Sequence, residues 1–296
     1  MENTSQFCLE VADISVKIRS ADPTLQFETQ GVMKNFLSGE LQPDAQASAT
    51  WSDLSRMSLG EKIFDSGALW QLHRRNGSYL FAFTSSVFGP FPYKVASFDS
   101  SFTAGEVYLH HPYFESKSAL YPLEYPLDEL WMVNLLGQGR GVEIHGCGVV
   151  DADGKGHLFV GQSGAGKSTM ARLWEPLKGI QILSDDRIVL RQANQKLWMY
   201  GTPWHGEAGF SSTARAPLTR IYFLRHAKEN KLLPQRPAQA VGQLFTCSFP
   251  PFYNPEALDF TLGFFEEVVQ AVPCFELRFL QDEKIIELLT GPSNED

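Results

Sequence analysis

The sequence predicts an α/β protein in which a phosphate-binding domain with a mixed sheet follows a smaller β-rich lobe. Three observations lead there. First, the run Gly161-Gln162-Ser163-Gly164-Ala165-Gly166-Lys167-Ser168 satisfies the phosphate-loop pattern G-x-x-x-x-G-K-[ST], between a short strand (His157 to Val160) and residues Met170, Leu173, Trp174 and Leu177 at helical spacing. Second, the loop strand is entered through a hairpin, which puts an antiparallel neighbour beside it. Third, residues 1–122 hold several short alternating runs and no long helical pattern.

In the first lobe, Ile14, Val16 and Ile18 alternate with polar residues as a half-buried strand does. Leu69 to Phe83 reads as two strands around Arg75-Asn76-Gly77-Ser78, a tight-hairpin signal. Val95 to Phe98 and Glu106 to His110 add two more, joined by a turn through Thr103-Ala104-Gly105. The prolines at 90, 92, 112, 122 and 126 punctuate the passage out of the lobe. The domains are therefore placed at 1–122 and 123–296.

The second lobe opens with a helix over Leu127 to Leu136, stopped by Gly137 and Gly139. Gly141 to Val150 reads as a strand that returns through Asp151 to Gly156 into the loop strand. After the loop helix, Ile180, Ile182 and Leu183 form an apolar strand ending in Ser184-Asp185-Asp186-Arg187. Ile188 to Leu190 and Leu197 to Tyr200 read as a second hairpin, and Ile221 to Leu224 as a buried strand. Phe264 to Val272 reads as a helix, Phe275 to Phe279 as an edge strand, and Lys284 to Leu289 as a final helix. Pro292 to Asp296 reads as a frayed tail.

The chemistry follows from the loop. Glycines let backbone N–H groups turn inward around phosphate oxygens, and the helix N-terminus adds a favourable dipole. Residues Gly161 to Thr169 would bind the triphosphate, with Lys167 reaching the β- and γ-phosphates and the Ser168 hydroxyl facing magnesium. Acids leaving a buried strand beside such a loop are placed to hold the metal and orient a nucleophile. Asp185 is taken as the base, and Asp186 joins Ser168 at the metal. Trp204-His205-Gly206-Glu207 sits at an exposed bend, where His205 and Glu207 would add a metal ligand or position the acceptor; equally, Trp204 is a packing anchor and the others are solvated.

The block from His145 through Arg187, with Gly-Gln-Ser-Gly-Ala-Gly-Lys-Ser-Thr and Ser-Asp-Asp-Arg, resembles the HPr kinase/phosphorylase and phosphoenolpyruvate carboxykinase group. Tyr200 to Glu207 and Tyr125 to Leu130 bring it closer to the HPr kinase-related proteins of peptide-modification clusters, among them the lasso-peptide kinases and the SynChlorMet cassette protein ScmC. The resemblance implies the same mixed-sheet P-loop fold, ATP and Mg2+ as cofactors, and a serine hydroxyl of a peptide or protein, such as a precursor peptide, as acceptor. It implies a phosphoryl-facing role for His145, which matches a His-Gly pair of HPr kinase; on the residues alone, His145 reads first as a satisfied core histidine. Arg187, inside the motif, is the cation assigned to stabilise the transferred group. HPr kinase carries Glu after the loop; Thr169 stands there here, as in the carboxykinases, so the reverse phosphorylase activity is not implied. The related proteins assemble as oligomers, which makes a homo-oligomer an expectation.

Composition narrows the classes. The 296 residues are 43% hydrophobic and 20% charged, ordinary globular usage. A formal net charge of −9 argues against non-specific nucleic-acid binding. Cys8, Cys147, Cys247 and Cys274 lack metal-ligand spacing and read as free thiols of a reducing compartment. With no leader pattern and no apolar run near 18 residues, membrane association is not expected and a cytoplasmic location is. Three classes remain: a kinase for a peptide or protein hydroxyl, a kinase for a small molecule such as an amino acid or sugar, and a non-catalytic nucleotide-binding module that recognises a precursor peptide. In the first, the β-rich lobe would select the acceptor.

Overall fold

A computed structural model describes residues 5–280 and 284–290, so the tail expected at 292–296 lies outside the described residues. The chain divides into two compact units, Met1–Leu135 and Leu136–Asp296.

The first unit is built on one nine-stranded sheet. Its strands are β1 (Gln6–Val11), β2 (Ile14–Ser20), β3 (Leu37–Ser38), β4 (Ala45–Trp51), β5 (Glu61–Asp65), β6 (Trp70–Arg75), β7 (Ser78–Phe83), β8 (Lys94–Phe98) and β9 (Ala104–Leu109), in the order β3-β1-β2-β4-β9-β8-β7-β6-β5. The pairs β2–β4 and β4–β9 are parallel and the rest antiparallel. Asn76 and Gly77 carry the positive φ angles (50° and 82°) of a two-residue hairpin turn, with Arg75 opposite Ser78, as their side chains predict. Ala104 and Gly105, expected in a turn, begin β9 instead; the turn lies at Asp99 to Thr103, where the Asp99 carboxylate accepts the Thr103 and Ala104 amides. A short α1 (His111–Phe114) and then α2 (Leu127–Leu136) follow. All but the last residue of α2 falls in the first unit, beyond the expected boundary near 122, because Trp131 is wholly buried there: its Nε1 donates to Phe102 O at 2.8 Å and its ring lies 4.9 Å from Phe98.

The second unit alternates strands and helices: β10 (Val142–Val150), β11 (Gly156–Val160), α3 (Lys167–Trp174), β12 (Gln181–Ser184), β13 (Arg187–Ala193), β14 (Lys196–Tyr200), β15 (Arg215–His226), β16 (Lys231–Pro234), α4 (Pro237–Thr246), α5 (Pro255–Ala271), β17 (Cys274–Phe279) and α6 (Lys284–Thr290). The sheet is mixed. β11 lies antiparallel to β10 and parallel to β15. The long strands β10 and β15 change partners along their length, so the pairings β10–β13, β13–β14, β14–β15, β15–β11 and β11–β10 close a ring. Each of these strands therefore has two strand neighbours within the ring.

Alternation along β11 sorts its side chains between two cores. Leu158 and Val160 join Ile144, Ile188, Leu218 and residues of α4 and α5. Phe159 joins Met170, Ala171 and Trp174 of α3, with Leu277, Phe279 and α6. Burying a side chain of that size contributes roughly 1.5–3 kcal/mol, so α3 is held by its apolar face more than by its eight-residue length. β17, expected at an edge, is internal, because the short β16 pairs with its outer side. α5 begins nine residues before the expected helix, where Asn254 caps the Glu256 and Ala257 amides and Pro255 takes the first position. All four cysteines are buried free thiols, and no helix among the described residues is long and apolar enough to cross a membrane.

Candidate functional site

The loop from Gly161 to Gly166 joins β11 to α3, and Gln162, Ser163 and Gly164 are exposed at its tip. Gly166 caps α3 with φ +105° and no side-chain cap bond, so no side-chain oxygen competes for the first-turn amides. Lys167 is buried and folded back on the loop, its Nζ donating to Gly161 O (2.8 Å) and Gln162 O (3.2 Å). Burial lowers its pKa, which the Asp186 charge opposes. Thr169, on the first turn of α3, is half-buried.

β12 ends at Ser184 and β13 starts at Arg187, so the two acids form the whole turn between them. The wholly buried Ser184 accepts the Asp186 and Arg187 amides at its hydroxyl, both at 3.2 Å, and this fixes the turn. The acids then face different surroundings. Asp185 is 1% exposed; its Oδ2 accepts from Ser168 Oγ (2.9 Å) and the Ala208 amide (3.1 Å), and its Oδ1 from the Gly206 (3.0 Å) and Phe210 (3.3 Å) amides. With almost no exposure, Asp185 is the less accessible of the two acids to an approaching hydroxyl.

Asp186 is the more accessible acid. Its Oδ1 lies 2.9 Å from His145 Nε2, and its Oδ2 accepts from Arg187 Nη1. Burial alone would raise its pKa, but the His145 hydrogen bond and the Arg187 and Lys167 charges hold it below the usual carboxylate value. His145 and Arg187 are register partners on β10 and β13, which places His145 in the site and not in a remote core. Arg187 lies close enough for its charge to act on Lys167. Its Nε lies 3.3 Å from the buried Glu143 carboxylate, its Nη1 binds Asp186, and its guanidinium sits 4.2 Å from the Phe249 ring centroid. These contacts brace Asp186 from the β13 side.

The bend from Trp204 to Glu207 does contribute, through its backbone. Trp204 is 8% exposed, and its carbonyl accepts from Ser184 Oγ and Thr202 Oγ1, both at 3.2 Å. His205 and Glu207 are exposed, and His205 Nδ1 lies 3.0 Å from the neighbouring Gly206 carbonyl. The structure therefore brings Lys167, Ser168, Asp185, Asp186, His145 and Arg187 together and leaves the side chains of His205 and Glu207 outside. Gly206 is required where it is, since a Cβ there would lie 2.8 Å from Asp185 Oδ2.

Three contributions were not visible in the sequence: the Gly206, Ala208 and Phe210 amides, the buried Glu143, and Phe249. Amides carry no sequence signal. Phe249 arrives from 104 residues beyond His145 because the Cys247 to Phe249 segment runs along β10, with His145 N donating to Cys247 O and Phe249 N to Glu143 O. Glu143 had one legible sign, a charge two residues before His145 in an otherwise apolar strand.

No group of three or more His, Cys, Asp or Glu able to hold a metal occurs among the described residues. Ser168 and Asp185 nevertheless form an oxygen-only pair that fits Mg2+, an ion that commonly takes one or two protein oxygens and completes its shell with water and phosphate.

No protein-family model matches the chain, and no curated protein does. Among solved structures it is similar to the HPr(Ser) kinase/phosphatase from Coxiella burnetii, at 18% identity over 43% of this chain and 92% of that one, with a TM-score of 0.22. A likeness at that score says nothing of this chain's chemistry, which rests on the residues themselves.

Proposed function

We propose that this protein is an ATP-dependent phosphotransferase that moves the γ-phosphoryl group to a hydroxyl, most simply a serine of a peptide or protein. The observation that carries the reading is the division of labour within one dipeptide: Asp185 bonds to the loop serine while Asp186 pairs with His145. Ser168, its hydroxyl oriented by Asp185, would hold Mg2+, and the ion when bound would neutralise charge on the β- and γ-phosphates. Lys167 exchanges its loop carbonyls for phosphate oxygens. Asp186, ionised at neutral pH and steadied by His145 and Arg187, accepts the hydroxyl proton as the new P–O bond forms and the bond from the γ-phosphorus to the β–γ bridging oxygen breaks, ADP being the leaving group. The roles expected of the two acids are thus exchanged. Positioning and electrostatics carry most of the rate in such transfers, so a braced carboxylate with a lowered pKa is sufficient.

The peptide acceptor follows from the resemblance to kinases of peptide-modification clusters, with the β-rich unit as the part that selects it. Incubation with labelled Mg-ATP and serine-containing peptides, followed by mass-spectrometric location of the phosphate, tests this. Transfer to a serine supports the reading; transfer only to free amino acids or sugars replaces the acceptor class; ATP binding without transfer to any acceptor leaves a nucleotide-binding module.

A further inference from the structure

Behind the phosphate loop lies a contact that neither the loop pattern nor the two acids require. The parallel strands β15 and β17 end on the register partners His226 and Phe279, whose rings lie 5.4 Å apart at 30°. Phe279 is 1% exposed and sits directly against the loop: a Cβ added to Gly166 would fall 2.5 Å from its Cζ. His226 is exposed, and its Nε2 lies 2.9 Å from Gly164 O. A carbonyl only accepts, so in this contact Nε2 bears the proton and donates.

The consequence lies in the next peptide unit. A trans peptide directs its C=O and N–H to opposite sides. With Gly164 O drawn outward to His226, the Ala165 N–H turns into the loop, where it meets Gln162 O at 3.1 Å. Gln162 O is also one of the two carbonyls that hold Lys167. The ring pair therefore holds the loop so that an amide and the lysine point to one interior.

We infer that His226, seated on Phe279, is a positioning residue for the phosphate loop: by fixing the Gly164–Ala165 peptide it holds the Ala165 N–H on Gln162 O, the carbonyl that also seats Lys167, and so keeps the loop and its lysine in the shape that receives the phosphate chain of a nucleoside triphosphate. The inference rests on the phosphotransferase reading above. His226 touches no reacting atom and acts through the loop backbone.

The test is calorimetric titration of the full chain with Mg-ATP and, separately, with magnesium tripolyphosphate, which has the phosphates without the base or sugar. His226→Ala is expected to weaken both ligands by the same factor, roughly three- to tenfold, the loss of one hydrogen bond. His226→Gln, whose amide can still donate to Gly164 O, is expected to recover most of it. The exposed position of His226 leaves the unfolding midpoint of both variants near that of the wild type. Weakening of Mg-ATP alone would show that the ring contacts the base and would overturn the inference, as would unchanged affinity for both ligands in His226→Ala. If the wild type binds neither ligand, the phosphotransferase reading fails and the inference with it.

Discussion

Ser168 Oγ donates to Asp185 Oδ2 at 2.9 Å, which ties the first turn of α3 to the end of β12. Two segments separated by a helix thereby share one oxygen-rich corner, and each partner limits where the other can move. The chemistry proposed for the site depends on this link and on the separate pairing of Asp186 with His145.

Lys167→Ala removes the only side-chain ammonium on the loop. The loss of a charged donor to phosphate corresponds to roughly a ten- to hundredfold rise in the Kd for Mg-ATP. Calorimetry on the variant, with circular dichroism to confirm the fold, measures it. Unchanged affinity would remove the loop from the binding site.

Asp185→Asn and Asp186→Asn separate metal binding from proton transfer. The Asp185 variant places an NH2 group where Ser168 or backbone amides donate, so we expect a raised magnesium requirement and a stability loss of about 1–3 kcal/mol. The Asp186 variant is expected to bind Mg-ATP like the wild type yet lose roughly 10²- to 10⁴-fold in kcat, since an amide accepts no proton. Magnesium titrations of the steady-state rate distinguish the two. Near wild-type transfer by the Asp186 variant would return that acid to a purely structural role.

Gly206→Ala probes the amide cradle. Its Cβ would lie 2.8 Å from Asp185 Oδ2 and 3.3 Å from Asp186 Cβ, so the bend must shift and loosen the Gly206 amide from Asp185. We expect about 1–3 kcal/mol less stability in urea unfolding and a weaker magnesium response. A variant as stable and as magnesium-responsive as the wild type would show that the bend tolerates the shift.

The hairpin entering the loop strand carries a pH dependence. Buried His157 packs against Trp174 and Tyr222, and its Nε2 lies 2.9 Å from Asp151 Oδ2. Burial lowers the His157 pKa, outweighing the Asp151 contribution that raises it. Burial would raise the Asp151 pKa, but the His157 and backbone hydrogen bonds bring it below the usual value. Both folded pKa values lie below the unfolded ones, so the unfolded chain binds more protons as the solution is acidified. Stability is fully present at neutral pH and declines as pH falls below about 6.5 for His157 and below about 3.9 for Asp151. Urea unfolding at pH 7.5 and 5.5 should show the first loss in the wild type and a smaller one in His157→Gln. Equal losses in the two proteins would assign the acid sensitivity elsewhere.

The order of elements around the loop was legible because each depends on short-range pattern. Glycines with Lys167 and Ser168 mark the loop, apolar spacing from Met170 marks α3, and Asn76-Gly77 marks a hairpin by its backbone preference. The two glycines at 137 and 139 mark the end of α2, which runs from Leu127 to Leu136 as its sequence predicts. Two residues of charge at the end of an apolar strand were enough to single out Asp185 and Asp186. Their identities could not say which one does what, since both are aspartates one residue apart. That distinction comes from Ser184, which folds the turn, and from three amides of the bend after Trp204, which surround one carboxylate and leave the other to His145 and Arg187. Backbone donors are the same at every position and long-range pairing has no local signature. The placement of Phe249 on Arg187, of β16 beside β17 and of His226 behind Gly164 was therefore set by how the sheet closes and what it brings within hydrogen-bond range.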